Sequence, residues 1–393
     1  MEVDLSTGDL DLSRILFLAH NGAWPTTDGG RRRDAELLPR LWRRALIDYV
    51  VVSQRPAQDE QGLRSSGVGL RRWWVFPDQS PTSAAPRRES RQARELLERI
   101  WQTYDAIHVE GHYLLGLLPP AAYTRVVLVE HNVESRILDQ RTRLGEPIPT
   151  TLLDQLRRTE RQAWRSVGRV IALTHDDATA ITTWTQRPTP VITNGWDHLD
   201  CGDSVRVPAR RNPDDSCLRL LFVANYAYFP NRDATSWLIE DILPEVRALL
   251  RDRSVEARLR LVGNAMPSQL TRAQDVEVVG WADDLAAEYG AADVVVVPLR
   301  IGGGIKVKVT EALYQGCYTV TTTVGAQGIP RDISGLAVAD DARRFAELAC
   351  APILRPSEVG RLAAQREWTR MPSWNAASTA TYQAWIGTGR GSS

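Results

Sequence analysis

The chain has 393 residues, more than one average hydrophobic core organises, so two domains of ordinary size are expected. Lys plus Arg and Asp plus Glu number 48 each, which leaves no global field to attract nucleic acid or another bulk polyanion. The four cysteines, Cys201, Cys217, Cys317 and Cys350, lie far apart without metal-ligand spacing, which argues against a zinc site or a disulfide scaffold and for a reducing compartment.

Glu2, Asp4 and Asp9 open the chain, and its first apolar run, Ile15 to Ala19, is too short for a signal segment or a membrane span, so the cytoplasm is the expected location. Arg14 to Ala19, Tyr49 to Ser53, Ala106 to Val109, Arg125 to Glu130 and Arg169 to Thr174 read as strands. Each is near-continuously apolar, as a strand buried on both faces must be, and the amphipathic stretches Asp34 to Leu46, Glu89 to Tyr104 and Leu152 to Val167 intervene as helices. From Trp196 to Ser216 the periodicity gives way to Asp, Arg, Pro and Asn, the composition of a connection. A second set follows: strands at Leu218 to Ala224, Ala257 to Val262, Val276 to Val279, Asp293 to Pro298 and Thr319 to Thr323, with helices at Asp233 to Leu250, Leu285 to Ala291 and Val307 to Gln315. The expected fold is α/β, with two Rossmann-like, doubly wound parallel-sheet lobes facing a cleft. The boundaries are a first lobe over 1–195, a connection over 196–216, a second lobe over 217–372, and a terminal helix from 373 returning to the first lobe before a tail that frays by 393.

Ligands of open parallel sheets sit beyond the carboxyl ends of the strands, so the unusual residues there are the candidates. His20, His112, His131 and His175 follow strands, His198 lies in the connection, and His108 is embedded in one; His131, directly after Val126 to Glu130, is the choice for a catalytic role. Asn21 to Arg33 holds Gly29 and Gly30 ahead of Arg33 and a helix, which allows close backbone approach to a ligand, although the dinucleotide spacing is missing. Arg31, Arg32, Arg33, Arg40, Arg43 and Arg44 form a candidate face for peripheral contact with lipid headgroups, set against the plainer reading of a solvated helix. Trp24, Trp42, Trp73 and Trp74 are candidates for stacking a flat or sugar acceptor.

Only two of the 48 basic residues are lysine, and they stand one residue apart, at Lys306 and Lys308. They follow Gly302, Gly303 and Gly304, which in turn follow an apolar strand, and strand, glycine loop, helix is a phosphate cradle. A lysine in the first turn of a helix opposes the macrodipole at about 0.3–1 kcal/mol, and a bound diphosphate reverses that sign. Glu311, one turn beyond Lys308, is placed to accept from ribose hydroxyls.

These segments resemble the group 1 retaining glycosyltransferases, glycosyltransferase family 4. The resemblance rests on Gly29 to Arg33 with Leu37-Leu38, on Glu130-His131-Asn132-Val133-Glu134-Ser135, on Glu160 to Trp164, on Phe222 to Asn225 with Pro230-Asn231, and on Gly302 to Glu311, in that order along the chain. It implies a GT-B fold, nucleotide ribose on Glu311, diphosphate on Lys306, Lys308, Gly303 and Gly304, and the reacting sugar near His131. Two departures bear on the donor. Gly303 stands where many relatives have a glutamate that contacts the donor sugar, and Asn225, Tyr226 and Asn231 stand where many have an Arg and Lys pair. Thr193-Asn194-Gly195-Trp196-Asp197 also alters the family's hinge segment.

The function expected from the resemblance is transfer of a sugar from a nucleotide-diphosphate donor to an acceptor hydroxyl on a glycan, a polysaccharide or a small natural product, with retention and without a metal or other cofactor. A nucleotide-sugar epimerase of the same fold and a non-catalytic nucleotide-sugar-binding protein are the alternatives. No nucleic-acid partner is expected.

Overall fold

Continuous apolar runs of four to seven residues that leave no face for water demand cover on both sides, and the chain supplies it twice. The structure is a computed structural model describing residues 12–81, 87–199, 216–266, 276–359 and 370–389. Strands β1 (Arg14–His20), β2 (Leu46–Ser53), β3 (Arg72–Pro77), β4 (Ala106–Glu110), β5 (Val126–Glu130) and β6 (Arg169–Ala172) form one sheet in the order β3-β2-β1-β4-β5-β6. Strands β7 (Cys217–Val223), β8 (Glu256–Val262), β9 (Val276–Gly280), β10 (Val294–Val297), β11 (Thr319–Thr321) and β12 (Leu336–Val338) form a second in the order β12-β11-β10-β7-β8-β9. All neighbours pair in parallel. Ile15 to Ala19 and Val294 to Val297, at the sheet centres, are buried.

Strand order reverses between β1 and β4 in the first sheet and between β7 and β10 in the second. Crevices open at such switch points, beyond the carboxyl ends, and this places the loops after β1, β4, β7 and β10 together. The helix Trp374–Gly389 lies against the first lobe: Trp374 and Trp385 are in its core with Phe17, Tyr49 and Leu38, and the Trp385 indole donates to His108 Nδ1 at 3.0 Å.

Several sequence expectations need correction. β3 and β12 were not expected; β3 is a half-buried edge strand that ends on Pro77, and β12 has only three residues, too few for a period to register. The first helix begins at Gly29 rather than Asp34, because Asp28 caps it by accepting from the Arg31 N–H at 3.0 Å. The long helix expected over Asp233 to Leu250 starts at Phe229 and widens into a π turn at Leu238–Ile242 before resuming at Leu243–Leu250, where Pro244 has no N–H to donate. Arg31 and Arg33 do not face solvent: both are buried, so the arginine row from 31 to 44 is not one lipid-facing surface. Trp73 and Trp74 sit toward the amino end of the edge strand β3, away from the cleft, under the guanidinium groups of Arg64 and Arg72 at 5.2 Å each. Most of the connection, 200–215, with Cys201, lies outside the described residues, as do 390–393 of the tail. No described helix is long and apolar enough to cross a membrane.

Candidate functional site

The loop after β1 is fixed rather than free. The Asp59 carboxylate accepts from the Gly22 N–H at 2.8 Å and from Arg31 at 2.6 Å, and Arg31 also donates to the Gly22 carbonyl at 2.7 Å. This holds the N-terminus of the helix Gly29–Leu41 at the cleft. A Cβ on Gly29 would lie 3.2 Å from Val307 of the second lobe, and one on Gly30 would lie 3.6 Å from the His131 ring. A side chain at Gly29 would therefore press on Val307 by a few tenths of an ångström, whereas one at Gly30 would make only ordinary contact with the ring.

The segment after β5 is held from beneath. Glu130 accepts from the Trp164 indole at 2.7 Å and pairs with His112 at 3.0 Å, while Glu160 accepts from the Ser135 N–H at 3.0 Å and caps the helix Glu134–Arg143. Burial opposes the His112 charge, but Glu130 raises its pKa to about 9; burial pushes Glu160 up to about 7. Glu160 and Trp164, one turn apart on the helix Thr150–Ser166, thus fix the backbone on which His131 stands.

His131 carries one end of a buried chain of hydrogen bonds. Its Nε2 meets Glu110, the last residue of β4; the other Glu110 oxygen lies 2.7 Å from His108 Nε2; and His108 Nδ1 receives the Trp385 N–H. An indole nitrogen only donates, so His108 Nδ1 is the acceptor and its Nε2 carries the proton that Glu110 receives. Burial alone would raise the Glu110 carboxyl, but His131 and His108 hold it well below the usual carboxylate range. A carboxylate in that position directs the His131 Nε2 proton inward and leaves Nδ1 on the Gly30 side. Arg33, fully buried, lies 3.7 Å from Glu110 and donates to the Asn194 side chain at 2.7 Å, so its role is to support this chain from behind. Burial and the Glu110 charge push the neighbouring Asp34 carboxyl well up.

Across the cleft, Gly302 and Gly304 have φ of +146° and +62°, values that favour glycine. The loop they form is seated on the first lobe: a Cβ on Gly303 would lie 2.9 Å from Asn132 Cβ, and one on Gly304 would lie 2.2 Å from the His131 carbonyl oxygen. The Gly302 N–H donates to the Gln140 side chain at 2.9 Å. Beside this seam lies a cavity of about 460 Å³, lined by Arg136, Gln140, Asp176, Gly302 and Gly303 among others. Two helix N-termini, at Gly29 and Val307, therefore meet in one place, and the partial positive charge of each favours an anion there.

The two lysines differ. Lys306 Nζ donates to the carbonyls of Gly303 and Gly304 at 2.9 and 2.8 Å and braces its own loop; burial lowers its pKa to about 8, with Asp177 and Asp176 opposing. Lys308 Nζ donates to Asn231 at 2.7 Å and lies 4.9 Å from the centre of the Phe222 ring; burial lowers its pKa to about 7, with Glu311 opposing. Asn231 in turn donates to the Asn225 carbonyl at 2.7 Å, so both asparagines serve to hold Lys308. Glu311 is buried, with one oxygen 2.7 Å from His198 Nε2 and the other 2.8 Å from the Tyr289 hydroxyl.

The structure brings His131, Gly29, Gly30, Gly303, Gly304, Lys306 and Lys308 to this seam, with Arg33, Asn225, Asn231 and Glu311 behind it, whereas Trp73 and Trp74 lie away from it. Glu110, Asn132, Gln140, Tyr289 and the Glu311 partner role of His198 were not anticipated. The alternation His108, Glu110 along β4, two polar residues on one face of an otherwise apolar strand, was the signal available for the first of them.

Two parallel-sheet lobes whose strand ends face each other across such a seam define the two-lobed α/β fold known as GT-B. The sequence family described as glycosyl transferase 4-like domain matches residues 29–195, and that described as glycosyl transferases group 1 matches residues 217–352. The chain belongs to the group 1 glycosyltransferases. Solved structures share its fold over nearly its whole length. HepE of Anabaena, in complex with UDP and glucose, aligns with a TM-score of 0.67 at 17% identity, covering 95% of this chain and 100% of that one. A glycosyltransferase from Rickettsia africae aligns at 0.63 and 13%, covering 97% and 100%. A UDP-N-acetylglucosamine 2-epimerase aligns at 0.56 and 12%, covering 96% and 97%. No curated protein matches the sequence.

Proposed function

We propose that the protein moves a sugar from a nucleotide-diphosphate donor to an acceptor hydroxyl, with retention at the anomeric carbon and without a metal cofactor. The observation that carries this reading is the seam itself, where two helix N-termini and Lys308 converge beside His131. The UDP-glucose complex of HepE, a protein of the same fold, supports a nucleotide sugar as the donor. The diphosphate lies against the N-terminus of the helix Val307–Tyr314, with Lys308 as its principal cation. Lys306 holds Gly303 and Gly304 in the shape that presents their backbone to the phosphates. The ribose hydroxyls donate to Glu311, and the sugar lies toward His131. The acceptor is a sugar or small molecule entering from the first lobe.

In the transfer, the bond from the anomeric carbon to the β-phosphate oxygen breaks and its electron pair goes to the diphosphate. The acceptor oxygen bonds to the same face of that carbon, and its proton passes to the departing phosphate oxygen. No second carboxylate of the glycosidase kind is required, and the cationic seam stabilises the leaving charge.

Glu311→Gln tests the ribose assignment. It is expected to weaken a nucleoside and its diphosphate about equally, by roughly 1.5–3 kcal/mol for a hydrogen bond to a charged group, in calorimetric titrations; loss confined to the diphosphate would contradict it. Closure is tested separately with Gly304→Ala, whose Cβ would meet the His131 carbonyl. At saturating nucleoside diphosphate the parent is expected to compact in small-angle scattering and the variant to keep a larger radius. Equal radii would remove the glycine loop from the closing surface.

A further inference from the structure

Between the lobes the chain crosses and returns, and the two crossings are stitched together. The Trp196 N–H donates to the Pro372 carbonyl at 2.9 Å, and the Trp374 N–H donates to the Asp197 carboxylate at 2.8 Å. Trp196 belongs to the core of the second lobe and Trp374 to that of the first. A Cβ on Gly195 would lie 2.2 Å from the Trp374 nitrogen, so the two strands of chain touch without room for a side chain.

The stitch does not end at the crossing. The Trp374 indole donates to His198 Nδ1 at 3.3 Å. Because an indole can only donate, the His198 proton is on Nε2, which therefore donates to Glu311 at 2.7 Å. One turn further along the same helix, Gln315 donates to the Leu199 carbonyl at 2.8 Å. The short turn Asp197–Leu199 is thus fastened to the helix Val307–Tyr314 and its cap at two points, and to the returning helix at two more. A carboxylate offers about four acceptor sites. His198 and Tyr289 occupy one on each Glu311 oxygen, which leaves the remaining sites for a diol arriving from the cleft.

We propose that His198 is a positioning residue for the nucleotide: it fixes the Glu311 carboxylate for the ribose and joins ribose occupancy to the two crossings between the lobes. This rests on the assignment of Glu311 to the ribose made above. Its chemical requirement is a side chain that accepts from Trp374 and donates to Glu311 at once, which imidazole meets and which a glutamine amide also meets.

The test titrates the full chain with UDP, GDP and ADP and with their nucleosides, and carries forward whichever pair the parent binds. His198→Ala is expected to weaken nucleoside and diphosphate alike by about tenfold, the loss of one hydrogen bond to a charged group, while His198→Gln stays within about threefold of the parent. Trp374→Phe, which keeps an aromatic ring, though a smaller one, and removes the donor, is expected to fall between them. It also carries the test should the alanine variant fail to fold by circular dichroism. If Glu311→Gln weakens binding but every His198 and Trp374 variant binds as the parent does, the proposal is overturned while the ribose site stands. Equal weakening by His198→Ala and His198→Gln also overturns it, since packing rather than the two hydrogen bonds is then what matters. If the parent binds none of the three diphosphates, the donor reading fails and the proposal with it.

Discussion

Replacing His131 by alanine is expected to lower turnover by about two orders of magnitude or more, the range for a positioned polar catalytic group, while donor binding stays nearly intact. His131 stands at the end of β5 on the seam, with Nε2 held by Glu110 and the ring beside Gly30, so it faces the place assigned to the sugar and not the phosphate cradle. Glu110→Gln is expected to act through it. The amide accepts from only one of the two histidines with its oxygen, so the ring loses its fixed orientation and turnover falls by about tenfold or more, as for a group that orients a catalytic base or ligand. Steady-state rates of the two variants against the parent, with circular dichroism as the folding control, decide this. Turnover equal to that of the parent in a folded His131→Ala protein would take the residue out of the mechanism.

Lys308→Ala carries the second large effect. It is expected to weaken nucleoside diphosphate binding by about 1.5–3 kcal/mol, the scale of a charge-assisted hydrogen bond, and to leave the nucleoside almost unchanged. Lys306→Ala is expected to do the same or less, because Lys306 is spent on the Gly303 and Gly304 carbonyls. Charge gives a further signature. Burial holds the Lys308 ammonium at about 7, so in the free protein it loses its proton near neutrality, and a bound diphosphate favours the charged form and raises that pKa. Affinity is therefore full below about pH 7 and declines as pH rises through the free-state value. Lys308→Ala is expected to lose the part of that decline centred near 7, and Lys306, at about 8, supplies the remainder. Calorimetric titration of the three proteins between pH 6 and pH 9 measures it; a Lys308→Ala variant that binds diphosphate as tightly as the parent would require the donor site to be placed elsewhere.

What could be read from the sequence followed from repetition and contrast. The central strands announced themselves because a parallel strand covered on both faces leaves a run such as Val294 to Val297 with no polar interruption, and the run Ala257 to Val262 because its polar and apolar residues alternate. The loop proposed to hold the phosphates stood out because its two lysines interrupt an otherwise arginine-only set of basic residues directly after three glycines. Partnership was not legible. Glu110 and His131 are 21 positions apart, His198 and Glu311 are 113 apart, and Trp385 reaches His108 over 277. The first pair exists because β4 lies beside β5, the second because the turn Asp197–Leu199 packs on the helix Val307–Tyr314, and the third because the last helix, whose return to the first lobe was expected, crosses β4; none of these residue-to-residue matches is written in local periodicity. The two lysines also proved unequal for a tertiary reason: Gly303 and Gly304 turn their carbonyls onto Lys306, while Asn231, from the helix Phe229–Trp237, reaches only Lys308.

Native mass spectrometry of the intact chain against a panel of nucleotide sugars tests the donor site most directly. The expected result is a one-to-one adduct with at least one of them, displaced by the matching nucleoside diphosphate and weakened in Lys308→Ala. Absence of any nucleotide-sugar adduct across the panel, with the protein folded and the instrument detecting a known binder under the same conditions, would contradict the assignment of residues 302–311 as a donor site.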